Sequence, residues 1–166
     1  MPATYEPIAT TTLSTAASTI TFSSIPATYT DLRLVLVIKP TASCAVYVKL
    51  NNNSAVTYSF TQIAGNGTSA TSSRGSDSAG FVLGANIAFQ DTEMQMGTVD
   101  IFSYAGSTNK TALSSFISDL NGSGNVGYNV SLFPSTTAVS RLDLINQAST
   151  TFATGTTATL YGIKSA

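Results

Sequence analysis

The chain has 166 residues, a net charge of −1 and only 9% Asp, Glu, Lys and Arg, against roughly 25% in typical soluble domains. With 43% hydrophobic residues it does not meet the low-hydrophobicity, high-charge condition for disorder, and its seven scattered basic residues lack the clustering that phosphate backbones select. No histidine and a single cysteine, Cys44, exclude a Ser-His-Asp or Cys-His centre, a Cys/His zinc site and an intramolecular disulfide.

In chain order, short runs rich in Val, Ile, Thr, Tyr and Phe predict strands at Ile8–Leu13, Thr19–Phe22, Leu32–Ile38, Ala45–Leu50, Val56–Ile63 and Gly80–Phe89. The pattern resumes at Thr98–Tyr104, Ala112–Ile117, Val126–Phe133, Ser140–Ile145 and Ala158–Ile163. Gly, Asn, Ser and Pro break these runs, as in "LNNNSA" (Leu50 to Ala55) and "DLNGSGN" (Asp119 to Asn125), where positive φ angles are needed for tight turns. No eleven-residue stretch keeps helical spacing with caps at both ends. The expectation is all-β: a single-domain jelly roll or β-sandwich of roughly 8–11 antiparallel strands spanning residues 1–166.

Two segments stand outside that pattern. Residues 65–80, "GNGTSATSSRGSDSAG", are small and polar and predict a flexible loop, or one that orders only against a partner. Residues 1–13 predict a possible N-terminal arm. This stretch has neither a basic n-region nor an apolar h-region, and the longest apolar run, Leu34–Ile38, is far short of the ~20 residues of a membrane helix. Synthesis in a reducing cytoplasm and no membrane partner are therefore expected.

Alternation is clear in "SRLDLIN", where Leu142 and Leu144 oppose Arg141 and Asp143. In "TVDIFSY", Val99 and Ile101 oppose Asp100, Phe102 and Tyr104, so both faces of that strand carry large side chains, as if covered on both sides.

Candidate chemistry is sparse. Asp91 and Glu93 are close in sequence, but a calcium loop needs many more oxygen ligands, and a solvated loop is the better reading. A glycosidase-type pair would have to be assembled from Asp31, Asp100 and Asp143; Asp31 and Asp143 each lie two residues from an arginine, which suggests exposed ion pairs. Cys44, in the apolar "SCAVYVKL", reads as a buried, inert thiol. The Asn-x-Ser/Thr triplets at Asn52, Asn66, Asn109, Asn121 and Asn129 are what a Ser/Thr-rich chain produces by chance. No catalytic residue, cofactor or metal is assigned, and the chain is not expected to be an enzyme.

Three stretches, "YEPIATTTL" (Tyr5 to Leu13), "ITFSSIPATYTDLRLVLV" (Ile20 to Val37) and "GTTATLYGIKSA" (Gly155 to Ala166), resemble small virion structural proteins of tailed bacteriophages, particularly those infecting aquatic bacteria and cyanobacteria. The similarity continues weakly through "KLNNNSAVTYSFTQIAGNG" and "SLFPSTTAVSRLDLI". It implies a virion component made in the host cytoplasm. The first expectation is a capsid decoration (cement) protein on the outer surface of the head, homo-oligomeric and trimeric, with the major capsid protein as partner. Tyr5, Pro7, Ile8, Leu13 and Arg74 are then the candidate capsid or subunit contacts. The alternative is a tail-fibre or tail-tip module that binds host glycans through Tyr58, Phe60, Tyr128 and Asn52.

Overall fold

The computed structural model describes residues 4–53, 55, 57–84, 88–147 and 149–164. Twelve strands are found among them: β1 (Tyr5–Thr12), β2 (Thr19–Phe22), β3 (Asp31–Ile38), β4 (Val46–Leu50), β5 (Tyr58–Gly65), β6 (Ala70–Ser78), β7 (Phe81–Leu83), β8 (Gln95–Phe102), β9 (Lys110–Asp119), β10 (Gly124–Phe133), β11 (Leu142–Asn146) and β12 (Thr157–Ile163). They form two antiparallel sheets, one of eight strands in the order β1-β12-β3-β8-β9-β10-β5-β6, the other of four in the order β2-β11-β4-β7. No helix occurs among the described residues. The chain is a β-sandwich, as the punctuated β-branched runs predict.

The core lies between the sheets. Leu32, Leu34, Leu36 and Ile38 of β3 and Val99 and Ile101 of β8 face Phe22, Val46, Val48, Leu50, Phe81, Leu142 and Leu144 of the smaller sheet. Each comes from a period-two run, so pairing either edge of a strand aims one set of side chains inward. Tight turns hold the register. Asn51 and Asn52 have φ of 52° and 51°, and the Asn51 Oδ1 accepts from the Ser140 and Arg141 amides at 2.9 and 3.2 Å. That amide side chain ties the β4–β5 turn to the start of β11.

Three expectations are corrected. The predicted 65–80 loop contains β6, which pairs with β5 from Gly65↔Ala70 to Tyr58↔Ser78 through a bulge; backbone pairing overrides the weak strand preference of Ser, Gly and Ala. The predicted arm is β1, paired with β12 of its own chain from Tyr5↔Ile163 to Thr12↔Thr157. The Gly80–Phe89 strand is shorter, ending as β7 at Leu83, with Phe89 making only an isolated bridge to Cys44; residues 85–87 lie outside the described residues, as does Val56 at the predicted start of the fifth strand. Cys44 is buried, as read.

The closing strand is not an edge. β12 lies between β1 and β3, bonded on both sides, and Gly162 within it lets the Tyr29 ring lie flat on the backbone: a Cβ there would fall 2.3 Å from the ring.

The two outer faces differ in chemistry. On the smaller sheet the carboxylate of buried Asp143 is held by Arg141 at 2.7–3.0 Å and accepts from the Thr21 hydroxyl at 2.6 Å. Burial pushes its pKa up, but these bonds and the Arg141 charge outweigh burial and leave it below the usual carboxylate value. A depressed folded-state pKa adds stability above the unfolded-state pKa and loses it as pH falls through the folded value. Asp143→Asn is therefore expected to cost about 1 kcal/mol at neutral pH, with the difference from wild type vanishing in acid below the folded-state pKa, read by urea unfolding across that range.

Within the core, one row is polar. Ser114, Asn129, Gln62 and Ser73 are cross-strand neighbours on β9, β10, β5 and β6. Asn129 Nδ2 donates to the Val82 carbonyl, while both amide atoms of Gln62, the Asn129 Oδ1 and the Ser73 and Ser114 hydroxyls are buried without a partner among the described residues. An unpaired buried amide costs about 1–3 kcal/mol, so Gln62→Met, close in shape, is expected to be neutral or up to about 1 kcal/mol stabilising in thermal unfolding. An ordinary core substitution would destabilise.

Candidate interaction face

The outer face of the eight-stranded sheet is read off the pairing registers. One row runs Val37–Met96–Ile117–Val126 across β3, β8, β9 and β10. The next runs Thr98–Ser115–Tyr128–Ile63 and the third Asp100–Leu113–Val130–Thr61–Arg74; Phe102 begins a fourth with Thr111 and Leu132. Ile63 is 61% exposed, Val130 59%, Tyr128 52% and Ile117 49%. These are large apolar side chains at adjoining positions, and a contiguous exposed apolar patch marks an interaction site more often than scattered apolar residues do.

Charge on this face is scarce and largely neutralised. Asp100 accepts from Arg33 in a two-pronged pair, 2.6 and 2.8 Å, and Arg33 also lies 5.6 Å from the centre of the Tyr5 ring. The carboxylate bond raises the Arg33 pKa, against burial. Arg33, two residues from Asp31, therefore pairs across the sheet with Asp100; Asp31 instead accepts from the Ser103 amide at 2.7 Å. Thr98 and Ser115 hydroxyls bond each other at 2.8 Å in the middle of the patch. Beyond Arg33 the face becomes hydroxylated, with Thr10–Thr159 and Thr12–Thr157 hydroxyl pairs at 3.1 and 2.9 Å.

The candidate contact residues are not one cluster. Tyr5 and Pro7 are exposed on β1, and Arg74 is exposed on β6, the opposite end strand of the sheet, roughly 30 Å away at 4.8 Å per strand. Ile8 and Leu13 pack on the core; the bulge between Pro7 and Ala9 breaks the alternation of β1 there.

The glycan set is also dispersed. Tyr58 is 0% exposed, stacked on Phe133 at 4.4 Å and edge-on to Phe81 at 5.4 Å, with burial pushing its phenol up to about 12. Its hydroxyl accepts from the Leu50 amide at 2.9 Å, which makes it a core anchor and not a sugar platform. Phe60 turns its ring onto Gly75, where a Cβ would stand 2.7 Å from it, and shares with Arg74, Val130 and Leu132 a groove of about 640 Å³. Asn52 is exposed in the β4–β5 turn, and Tyr128 stands on the apolar face. Of the glycosylation triplets, Asn129 is buried and closed to modification in the folded chain. Asp91 and Glu93 lie in an exposed turn before β8.

The apolar face was not anticipated as a site, although its signal was present in the two-sided pattern of "TVDIFSY". Val99 and Ile101 are core, while Phe102 projects outward and is exposed.

No family model matches the chain, and no curated protein matches it. Among solved structures it is similar to the crystal structure of the galectin LEC-6 of Caenorhabditis elegans, with 14% identity over 94% of this chain and 96% of that chain and a TM-score of 0.35.

Tyr58→Phe keeps the ring stack and removes the oxygen that receives the Leu50 amide. It is expected to lower stability by about 1–2 kcal/mol in denaturant unfolding while leaving the exposed face, and any association through it, unchanged.

Proposed function

We propose that this is a virion structural protein, a decoration protein on the outside of a phage head, working by protein contact and not by catalysis. The observation that carries the reading is the outer face of the large sheet: side by side, Ile63, Val130, Tyr128, Ile117 and Met96 form an exposed apolar surface with little free charge at its centre. A surface of this kind gains by being covered, at about 25 cal/mol per Å² of apolar area removed from water, and small gains repeated over many symmetric copies add up on a shell. The resemblance of both chain ends to phage virion proteins supplies the context. The hydroxylated, low-charge composition suits a protein crowded against many neighbours.

A glycan-binding tail module has less support, because Tyr58 is in the core and Phe60, Tyr128 and Asn52 do not converge.

Immunogold labelling of intact virions with an antibody to this chain, together with counting copies per particle, tests the proposal. Label over the head at hundreds of copies is the expected result. Label confined to the tail, at tens of copies or fewer, overturns it.

A further inference from the structure

We infer that the outer face of the eight-stranded sheet is covered by the same face of a second copy of this chain, the two sheets packing face to face about a two-fold axis. The inference rests on the reading of that face as an association surface and assigns it to the contact between copies, which leaves contact with the shell to the rest of the surface.

Three observations argue for a second copy. The first is area. Counting six strands from β3 to β6 and four side-chain rows, the face measures roughly 29 by 27 Å at 4.8 Å per strand and 6.8 Å per row. That is about 800 Å², the size one partner contributes to a standard stable interface. The second is charge. Between β8 and β5 the described side chains at the centre of the face bring only Asp100, and Arg33 neutralises it at 2.6 and 2.8 Å; Arg74 on β6 and Asp119 at the end of β9 are exposed charges at its rim. A face that nearly lacks free charge selects against basic or acidic partners and meets its own copy without like charges opposed. The third is shape and chemistry. The patch is the pleated surface of paired strands, with Val, Ile and Leu in rows around a Thr98–Ser115 pair bonded to each other at 2.8 Å. Two such surfaces interdigitate at about 10 Å, as the two inner faces of a sandwich do.

A patch that pairs with itself makes an isologous contact and closes at two copies. The geometry therefore favours a two-chain unit over the three-chain unit expected from the resemblance. It also gives outward Phe102 of "TVDIFSY" a partner, while Val99 and Ile101 meet the smaller sheet and Tyr104 is buried within its own chain.

Analytical ultracentrifugation of the full-length chain, alone and without virions, tests this. The wild type is expected at twice the 17.1 kDa chain mass. Val130→Lys, at an exposed position in the middle of the patch, would bury an unpaired ammonium and is expected to raise the two-chain dissociation constant at least about tenfold. Thr19→Lys, an exposed site on β2, adds the same charge elsewhere and should leave the mass unchanged; far-UV circular dichroism checks that each variant folds. Should Val130→Lys not fold, Ile117→Lys reads the same face. A monomeric wild type, a three-chain mass, or a two-chain mass that survives the lysine in a folded variant overturns the inference. A monomer that binds emptied shells and loses that binding with Val130→Lys would assign the face to the shell, overturning the second-copy inference while leaving the head-decoration reading standing. Tail-confined label with a lysine-sensitive two-chain mass would do the reverse.

Discussion

Side chains alternate along β8, β9 and β10 with a period of two, and these strands carry large apolar residues on both sides. Only one side can face the smaller sheet. Val99, Ile101 and Phe116 go inward and are buried, while Met96, Leu113, Ile117, Val126, Tyr128 and Val130 go outward and are exposed. A one-residue slip in any of these pairings would exchange the two sets, so the registers that build the core also build the outer patch.

Most of the other features follow from widening one sheet to eight strands while the other has four. The wide sheet must avoid ending on an open, sticky strand. Its uncharged closing segment is placed inside, between β1 and β3, and the end strands carry the protection. β1 has Pro7, a bulge and the Glu6–Lys164 ion pair at 2.7 Å; β6 has its own bulge and Arg74. The side of the wide sheet near β5 and β6 tolerates a polar row, Ser114–Asn129–Gln62–Ser73, whose unpaired amides are a cost that an apolar row would not carry. The Lys110 ammonium, inside the fold, is answered locally: it donates to the Gly106 and Thr108 carbonyls at 2.6 Å, and burial lowers its pKa.

The electrostatics point the same way as the packing. Among the described residues three tight ion pairs form, Arg33–Asp100, Arg141–Asp143 and Lys164–Glu6. The aspartates that could have formed a carboxylate pair are each occupied, Asp100 and Asp143 by arginines and Asp31 by a backbone amide. What remains at the centre of the outward face of the large sheet is apolar surface and hydroxyls, with Arg74 and Asp119 exposed towards its ends.

Strand existence, the all-β class and the buried state of Cys44 were determined by the sequence itself, because β-branched runs, turn residues and period-two alternation are local properties that no distant contact has to supply. Local pattern could not identify β6: a run of Ser, Thr, Gly and Ala becomes a strand only when β5 offers it a ladder of backbone hydrogen bonds. Nor could it decide which alternating set is core, and so it could not tell that Tyr58 packs on Phe81 and Phe133 while Phe60 lines a groove against Gly75. The exposed face was half legible in "TVDIFSY", where residues suited to burial occur on both sides. Only the tertiary structure decided that one side meets the second sheet and the other meets solvent, because facing is set by which strands pair and in what register, and those partners lie up to the full length of the chain apart.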